Sequence, residues 1–488
     1  MTSDRRKFTQ NVGLIGLTNF LIVLKGIILL PIITKLLGTR DYGVWTQLSV
    51  TLSLLSPLIL LGLPFSLVRS LASKTNRQEI QEVIYSILAV VFAAGSIIVL
   101  IFLVFSQNIG GFLQSPPAFI EILAFVILLE CLNAVFFSVL RAFEEIKKYS
   151  ALTLCQNFGE IGLVLYYVFT GQGLAGAVLA LLLVRLAIFL TLAILVASRF
   201  GVKIPNFKFL RQHLHFGLPT LASNVSYWLV TSSDRYLIGA FLGVLFVGYY
   251  APAYAIGNLL NFFTFPLGFL LPAALAKLFD ENKLAETRTH LRYSLKYFLL
   301  LTIPSFFGLS FLAKPLLTSF SNPEIASQGY LVTPFVALSV LLYGATGIFA
   351  EILSLAKKTR IAGSIWTLAA FGNVGLNLLF VPKFGILGAA ITTLLAYALA
   401  FFLTWYFSFK ELKFQIDSKF ILKSVLASVL MTILLGQLNP HGFSEIILAV
   451  VLGALLYGIL IFFFKGIDKK ELDFFKSFFQ SYFARHQP

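Results

Sequence analysis

Charge is scarce in this chain: only 12% of its 488 residues are Asp, Glu, Lys or Arg, about half the share of an ordinary soluble domain. That excludes a soluble globular protein. Cysteine is nearly absent. Cys131 and Cys155 both fall in apolar runs, form no CxxC and have no histidine at metal-ligand spacing, so they read as buried thiols and say nothing about a redox compartment. His213, His215, His290, His441 and His486 fall in connections or at the ends of apolar runs, which leaves no basis for a histidine-based metal or catalytic site. GxxxxGK[ST] is missing as well, so ATP is not bound by a P-loop and any transport is secondary or gradient-driven.

What is present is hydrocarbon: 58% hydrophobic residues, 51 of them Phe, and a mean hydropathy of +0.90. Apolar runs of about 20 residues, enough to cross a bilayer as helix, recur along nearly the whole chain. They predict an all-α polytopic membrane protein of about fourteen transmembrane helices, at 11–33, 44–68, 83–105, 118–140, 150–169, 173–198, 214–240, 245–272, 294–313, 329–353, 361–381, 385–408, 420–437 and 444–464. The first run is too long for a signal-peptide core and no small-residue cleavage site follows, so it is expected to stay as a helix.

The cations orient the spans. Arg5, Arg6 and Lys7, Arg69, Lys74 and Arg77, Lys147 and Lys148, Lys357 and Lys358, and most other Lys and Arg lie in one set of connections. The opposite set holds only Lys35, Arg40, Lys314 and Lys383, and Lys25, Arg185 and Arg235 fall within spans. Both termini are therefore expected on the cytoplasmic side. The net charge of +16 is explained by this topology, and cations dispersed over many short loops give no reason to infer nucleic-acid binding.

The chain also resembles itself. LLGTRDYGVW (36–45) matches FLGVLFVGYY (241–250), FGEIGLVL (158–165) matches FGNVGLNL (371–378), and GLAGA (173–177) matches GILGA (385–389), in the same order and at nearly constant offset. Each copy holds six spans, an even number. Parallel six-helix repeats of this kind place a substrate site between the halves near mid-bilayer. The predicted organisation is an N-terminal six-helix bundle at 1–198, a cytoplasmic linker at 199–213, a C-terminal bundle at 214–409, two additional transmembrane helices at 410–465 and a cytoplasmic tail at 466–488. The repeated glycines read most simply as close helix packing, as does the seam of Ser424, Ser428 and Thr432. The tail, with Phe474, Phe475, Phe478 and Phe479 on one face, could form an interfacial helix.

Polar groups inside the spans carry the functional reading. Lys25 is the only ionisable residue of the first span and shares a face with Asn11 and Thr18 at a spacing of seven. Ten residues separate it from Lys35, about 15 Å along a helix, too far for comfortable snorkelling. A lysine there costs about 2.5 to 3.5 kcal/mol on insertion scales, so this face should meet protein or water. The other candidates are Glu130, Asn133, Asn157, Glu160, Arg185, Asp234, Arg235, Asn258, Asn261, Glu351, Asn373 and Asn377, spread over both halves as if around a hydrated central cavity. Lysine and arginine there would favour an anion such as phosphate. Glu130, Glu160 and Asp234 would balance the charge or carry a coupling H⁺ or Na⁺. The plainer alternative for Glu160 and Arg185, on consecutive helices, is a structural ion pair. Asp234 and Arg235, about 100° apart around a helix, are expected to serve different partners, with Arg235 close enough to its span end to snorkel.

LLGTRDYGVW, DRYLIGAFLGVLFVGYYAPAYAIGNL (234–259) and FGNVGLNLLFVPKFGILGAAITTLLAYALAF (371–401) resemble the polysaccharide flippases, the Wzx-type branch, of the multidrug/oligosaccharidyl-lipid/polysaccharide exporter superfamily. The resemblance implies two six-helix bundles in a V around a central cavity and alternating access. It also implies translocation of an undecaprenyl-pyrophosphate-linked oligosaccharide across the bacterial plasma membrane for surface polysaccharide synthesis. No cofactor is implied beyond a coupling ion, and the partners are the lipid-linked oligosaccharide, membrane lipid and, beyond them, polymerase or assembly proteins. Lys25, Arg185 and Arg235, with Asn258 and Asn261, are the substrate-binding candidates by position in the spans. The alternative is a multidrug or cation antiporter of the same superfamily, which typically carries an acid in the first span where this chain has Lys25. A membrane glycosyltransferase or polymerase fits less well, because the predicted outer loops are short.

Overall fold

The computed structural model describes residues 2–71, 74, 76–440, 442–466 and 471. The order is α1 (Thr2–Leu36), α2 (Thr39–Leu60), α3 (Leu63–Leu71), α4 (Arg77–Val104), α5 (Ser106–Leu113), α6 (Pro117–Ala142), α7 (Ile146–Phe169), α8 (Gly173–Phe200), α9 (Leu210–Leu242), α10 (Val244–Gly257), α11 (Phe265–Asp280), α12 (Leu284–Phe320), α13 (Pro323–Gly329), α14 (Val332–Leu355), α15 (Thr359–Glu411), α16 (Ser418–Gly436) and α17 (Phe443–Phe463), with 3₁₀ turns at Phe207–Phe209 and Asn258–Phe263. Among the described residues ten helices are long and apolar enough to cross a membrane: α2, α4, α6, α7, α8, α12, α14, α15, α16 and α17. The predicted tail helix, with its Phe474, Phe475, Phe478 and Phe479, lies outside the described residues.

Four expected spans differ in their continuity. The run 44–68 breaks between α2 and α3, where Leu61 and Gly62 take left-handed φ values of 50° and 70°. The run 245–272 is α10, a 3₁₀ segment and the start of α11; Pro252 lies inside α10, and Pro266, in the first turn of α11, has no N–H to continue the ladder. The runs 361–381 and 385–408 join as α15, whose 53 residues would exceed twice a bilayer's thickness if straight. It turns at Gly385, φ 62° and ψ −145°. Gly173, the counterpart of Gly385 in GLAGA, also has positive φ, 58°, where it opens α8 after the α7–α8 turn.

The chain forms two compact units. The first comprises Met1–Pro252, Phe320–Ile325 and Trp366–Ala389. α6 runs through its core, packed on by α2, α3, α4, α5, α7 and α8, and Ile84, Ile87, Val91, Ile120, Ile127, Val135, Val164 and Leu192 are all buried there. Cys131 is buried in this core, whereas Cys155, expected to be buried, is exposed on α7: an apolar run on a membrane helix has a lipid side as well as a protein side.

The second unit comprises Ala253–Ser319, Ala326–Ile365 and Ala390–Pro488. Phe349 is its hub, with the rings of Phe401, Phe409 and Phe414 at 5.4–5.8 Å, and Ser408 donates to the Phe349 carbonyl at 2.8 Å. The serine seam of α16 does pack: Ser424 and Ser428 are fully buried, and the Ser424 hydroxyl lies 2.8 Å from the Tyr457 hydroxyl of α17. Lys296 of α12 is buried against both carboxylate oxygens of Glu471, at 2.8 and 2.9 Å.

Candidate functional site

Two hairpin turns bring the membrane charges of the first unit to one level. Glu160 and Arg185 lie at similar distances on either side of the α7–α8 turn at Thr170–Gln172, so at 1.5 Å per residue they come level across the antiparallel pair. Glu130 and Gln156 are related in the same way about the turn between α6 and α7. α1 packs along α7, and its polar face turns inward: Thr18 is buried, its hydroxyl donating to the Leu14 carbonyl at 2.7 Å. The side chain of Asn11, the third member of that face, lies outside the described part.

The outcome is a row of alternating charge drawn from four helices. Lys25 Nζ (α1) lies 2.6 Å from Glu160 Oε1 (α7). Arg185 Nη1 (α8) lies 3.1 Å from Glu160 Oε2. Arg185 Nε lies 2.9 Å from Glu130 Oε2 (α6). The inner members are buried, Glu160 at 3% and Arg185 at 7% side-chain exposure, while the ends open, Lys25 at 20% and Glu130 at 32%. Two further groups steady it: Asn133 Nδ2 donates to the Arg185 carbonyl at 3.0 Å and Gln156 Nε2 to Glu130 Oε2 at 3.3 Å. Gln156 was not singled out from sequence, though it sits one turn before Glu160 on the same face, which is the signal that finds it.

Chemically the row is an anion site that holds its own anion. Glu160 sits between an ammonium and a guanidinium, an arrangement equally suited to phosphate oxygens. With all four groups ionised the row sums to zero, so the burial of Glu160 and Arg185 is compensated. Isolated ions at that depth would cost several kcal/mol each.

Asp234 and Arg235 form a second cluster, on α9, and here the expectation fails. They pair with each other: Arg235 Nη1 lies 2.7 Å from Asp234 Oδ1. The guanidinium bends back along its own helix, donating also to the Thr231 carbonyl one turn earlier, and long helical side chains run in that direction. Arg235 is 8% exposed and Asp234 fully buried, so Arg235 does not snorkel. Asp234 Oδ1 accepts the Arg235 backbone N–H at 2.9 Å, Oδ2 accepts the Tyr250 hydroxyl of α10 at 2.5 Å, and the guanidinium lies 5.4 Å from the Tyr250 ring centroid. Gln47 of α2 donates to the Arg235 carbonyl at 2.9 Å. Asp234 and Arg235 thus tie α9 to α2 and α10.

Asn258 and Asn261 belong to the second unit, in the 3₁₀ segment that interrupts α10 and α11. Asn258 is exposed; Asn261 is engaged locally, its side-chain oxygen accepting the Thr264 hydroxyl. Asn373 and Asn377 are fully buried in the first unit, one turn apart and hydrogen-bonded at 3.1 Å. Among the described residues no group of three or more His, Cys, Asp or Glu could hold a metal ion.

Residues 32–321, more than half of the chain, match the family described as polysaccharide biosynthesis protein. The chain belongs to this family. Glu130, Glu160, Arg185, Asp234 and Arg235 lie inside the matched segment, and Lys25 precedes it. The resemblance to the Wzx-type flippases of the exporter superfamily holds. The chain is 23% identical to the probable low-salt glycan biosynthesis flippase Agl15 of Haloferax volcanii, over 75% of this chain and 76% of that protein. In fold it is similar to a lipid II flippase MurJ in an inward closed conformation, TM-score 0.74 at 17% identity, covering 92% of this chain and 98% of that one. It is also similar to an inward-facing multidrug resistance MATE family transporter, TM-score 0.68 at 14% identity, covering 80% and 93%. The chain is thus a helical, multi-pass membrane protein whose fold is similar to that of these flippases and transporters.

Proposed function

We propose that the protein is a flippase that carries a polyprenyl-pyrophosphate-linked oligosaccharide across the plasma membrane, undecaprenyl being the lipid in a bacterial host, and that Lys25, Glu160, Arg185 and Glu130 form its pyrophosphate site. The observation that carries this reading is Glu160 held between Lys25 and Arg185 in a chain of the polysaccharide biosynthesis protein family. The pyrophosphate takes the place of Glu160 between the two cations, the sugars occupy the hydrated path, and the polyprenyl chain stays in lipid.

Neutrality then dictates coupling. A doubly charged pyrophosphate diester entering a row that already sums to zero leaves uncompensated negative charge in a low-dielectric setting, a costly state. Uptake of two monovalent cations, H⁺ or Na⁺, one at Glu160 and one at Glu130, removes it. Glu130, the more open carboxylate, is where they enter. Asp234 is the weaker coupling candidate because Arg235 and Tyr250 already satisfy its carboxylate.

Fourteen spans, two parallel six-helix repeats and cytoplasmic termini complete the reading. The bundles run 1–198 and 214–409, with the pair at 410–465 added. The equivalent positive-φ glycines Gly173 and Gly385 support the duplication. The drug or cation antiporter has one observation in its favour, the partly open Glu130; tight binding of cationic dyes, or improved function in Lys25→Glu, would favour it.

The test is replacement of the native gene by Lys25→Gln. At wild-type protein level the variant should abolish export of surface polysaccharide and leave lipid-linked oligosaccharide on the inner leaflet. Normal export would remove Lys25 from the mechanism.

A further inference from the structure

The two copies of the first repeated motif meet. A Cβ built on Gly43 would lie 2.1 Å from the Val244 carbonyl oxygen, and one on Gly248 would lie 2.1 Å from the Thr39 carbonyl oxygen. Gly248 corresponds to Gly43, and Val244 to Thr39, at the same sequence offset. The contact is therefore reciprocal, like a two-fold interface folded into one chain. α2 and α10 begin alike, each directly after a positive-φ glycine, Gly38 at 89° and Gly243 at 100°. Small residues at a crossing let two backbones approach closely, and here the approach is close enough that alanine at either position must separate the helices.

A single carboxylate fastens the crossing. Glu324, at the start of α13, accepts the Tyr249 hydroxyl of α10 at 2.5 Å on one oxygen and the Thr39 hydroxyl of α2 at 3.2 Å on the other. Asn322 donates to the Thr39 hydroxyl oxygen at 3.4 Å, and Thr34 of α1 to the Phe320 carbonyl at 3.3 Å. Thr39 and Tyr249 are buried, whereas Glu324 is exposed. The fastening can thus be exchanged for water without stranding a charge in hydrocarbon, which a closure that must reopen requires. The segments that meet, 34–43, 241–248 and 320–324, lie in or directly beside three connections predicted on the outer side, 34–43, 241–244 and 314–328.

We propose that the reciprocal crossing of α2 and α10 closes the outer end of the transport path, and that Glu324 is the latch that holds it closed. The proposal takes from the flippase reading only which end is outer. Glu324 acts as a positioning residue, with no contact to substrate.

The test is labelling of Val247→Cys, a fully buried position one residue before Gly248, by a membrane-impermeant thiol reagent applied outside cells, with Cys131 and Cys155 replaced by serine. Labelling should be slow in that background, and several-fold faster when Glu324→Gln or Gly248→Ala is added. Gly111→Ala, where a Cβ meets nothing within 4 Å, should leave it unchanged. Glu324→Gln keeps the test informative if Gly248→Ala does not fold. A disulfide between Thr39→Cys and Asn322→Cys should stop transport until it is reduced. Equal labelling of Glu324→Gln and the control, faster labelling only from inside, or full transport with the disulfide formed would overturn the latch. Labelling needs no substrate, so the expected labelling in a protein that exports no lipid-linked glycan would sink the flippase reading and leave the closure standing.

Discussion

Lys25 of α1 and Glu160 of α7 lie 2.6 Å apart, ammonium to carboxylate. The second oxygen of Glu160 is held by Arg185, so the two members of this pair depend on it unequally. Remove Lys25 and Glu160 keeps a cation. Remove Glu160 and two cations face one another, one of them buried.

Stability and transport should therefore separate at this pair. Lys25→Gln should cost about 1 kcal/mol or less, since Lys25 is partly open and its partner stays paired. Glu160→Gln should cost about 3 to 5 kcal/mol, the range for breaking a buried pair. Thermal unfolding of the purified variants measures both. Equal destabilisation would mean that Lys25 is as structural as Glu160.

Arg185 bridges two carboxylates through different nitrogens, Nε to Glu130 and Nη1 to Glu160. A lysine offers one point charge and cannot reproduce that fork. Arg185→Lys should fold with intermediate stability and poor transport, and Arg185→Ala should lose about 3 to 5 kcal/mol because two carboxylates are left together. Expression level, melting temperature and export, read side by side, check the ranking. Full transport by Arg185→Lys would reduce the site to simple charge.

The charges were legible in the sequence one at a time, because an ionisable residue in an apolar run stands out. Their partners were less so. Glu160 and Arg185 lie on consecutive helices, and their pairing could be foreseen as one of two readings. Lys25 and Glu160 are far apart in sequence, and nothing in α1 announces which helix it faces. Asp234 and Arg235 misled because angular separation around a helix ignores the length of an arginine stem. Glu324 was invisible, an acid in a short connection whose importance depends on where two distant glycines meet. The periodicity of the runs gave the helices, while the breaks at Leu61–Gly62 and after Gly257 depend on backbone conformations that composition does not specify.

The Asp234 cluster should behave as a fastening between helices. Asp234→Asn takes the adjacent buried carboxylate from Arg235 and should cost about 3 to 5 kcal/mol; Tyr250→Phe removes one hydrogen bond to a carboxylate and should cost about 1 to 3 kcal/mol. Export should fall only in proportion to folded protein. A well-folded Asp234→Asn protein with no export would place Asp234 in ion coupling instead.

His213, in the predicted linker just ahead of the span in α9, gives a pH signature. It is buried with Nδ1 2.7 Å from the Ser66 hydroxyl of α3. Burial first, and the nearby Lys74 charge second, hold its pKa below the ordinary 6.5. The unfolded chain therefore takes up a proton before the folded one, so the stabilisation is present above about pH 6.5 and is lost as the pH falls towards the folded value. His213→Gln should flatten the pH dependence of the melting temperature on the acid side of about pH 6.5. An unchanged slope would show that other groups set it.

The central claim is that the row running from Lys25 to Glu130 recognises pyrophosphate, and direct binding tests it. Purified protein in nanodiscs is titrated with a polyprenyl pyrophosphate and with the matching uncharged polyprenol, as wild type and as Lys25→Gln. The account predicts that the wild type binds the pyrophosphate more tightly than the variant by about tenfold or more, the equivalent of one charge-assisted contact, and that the polyprenol does not distinguish the two proteins. Equal affinity of both proteins for the pyrophosphate would contradict it.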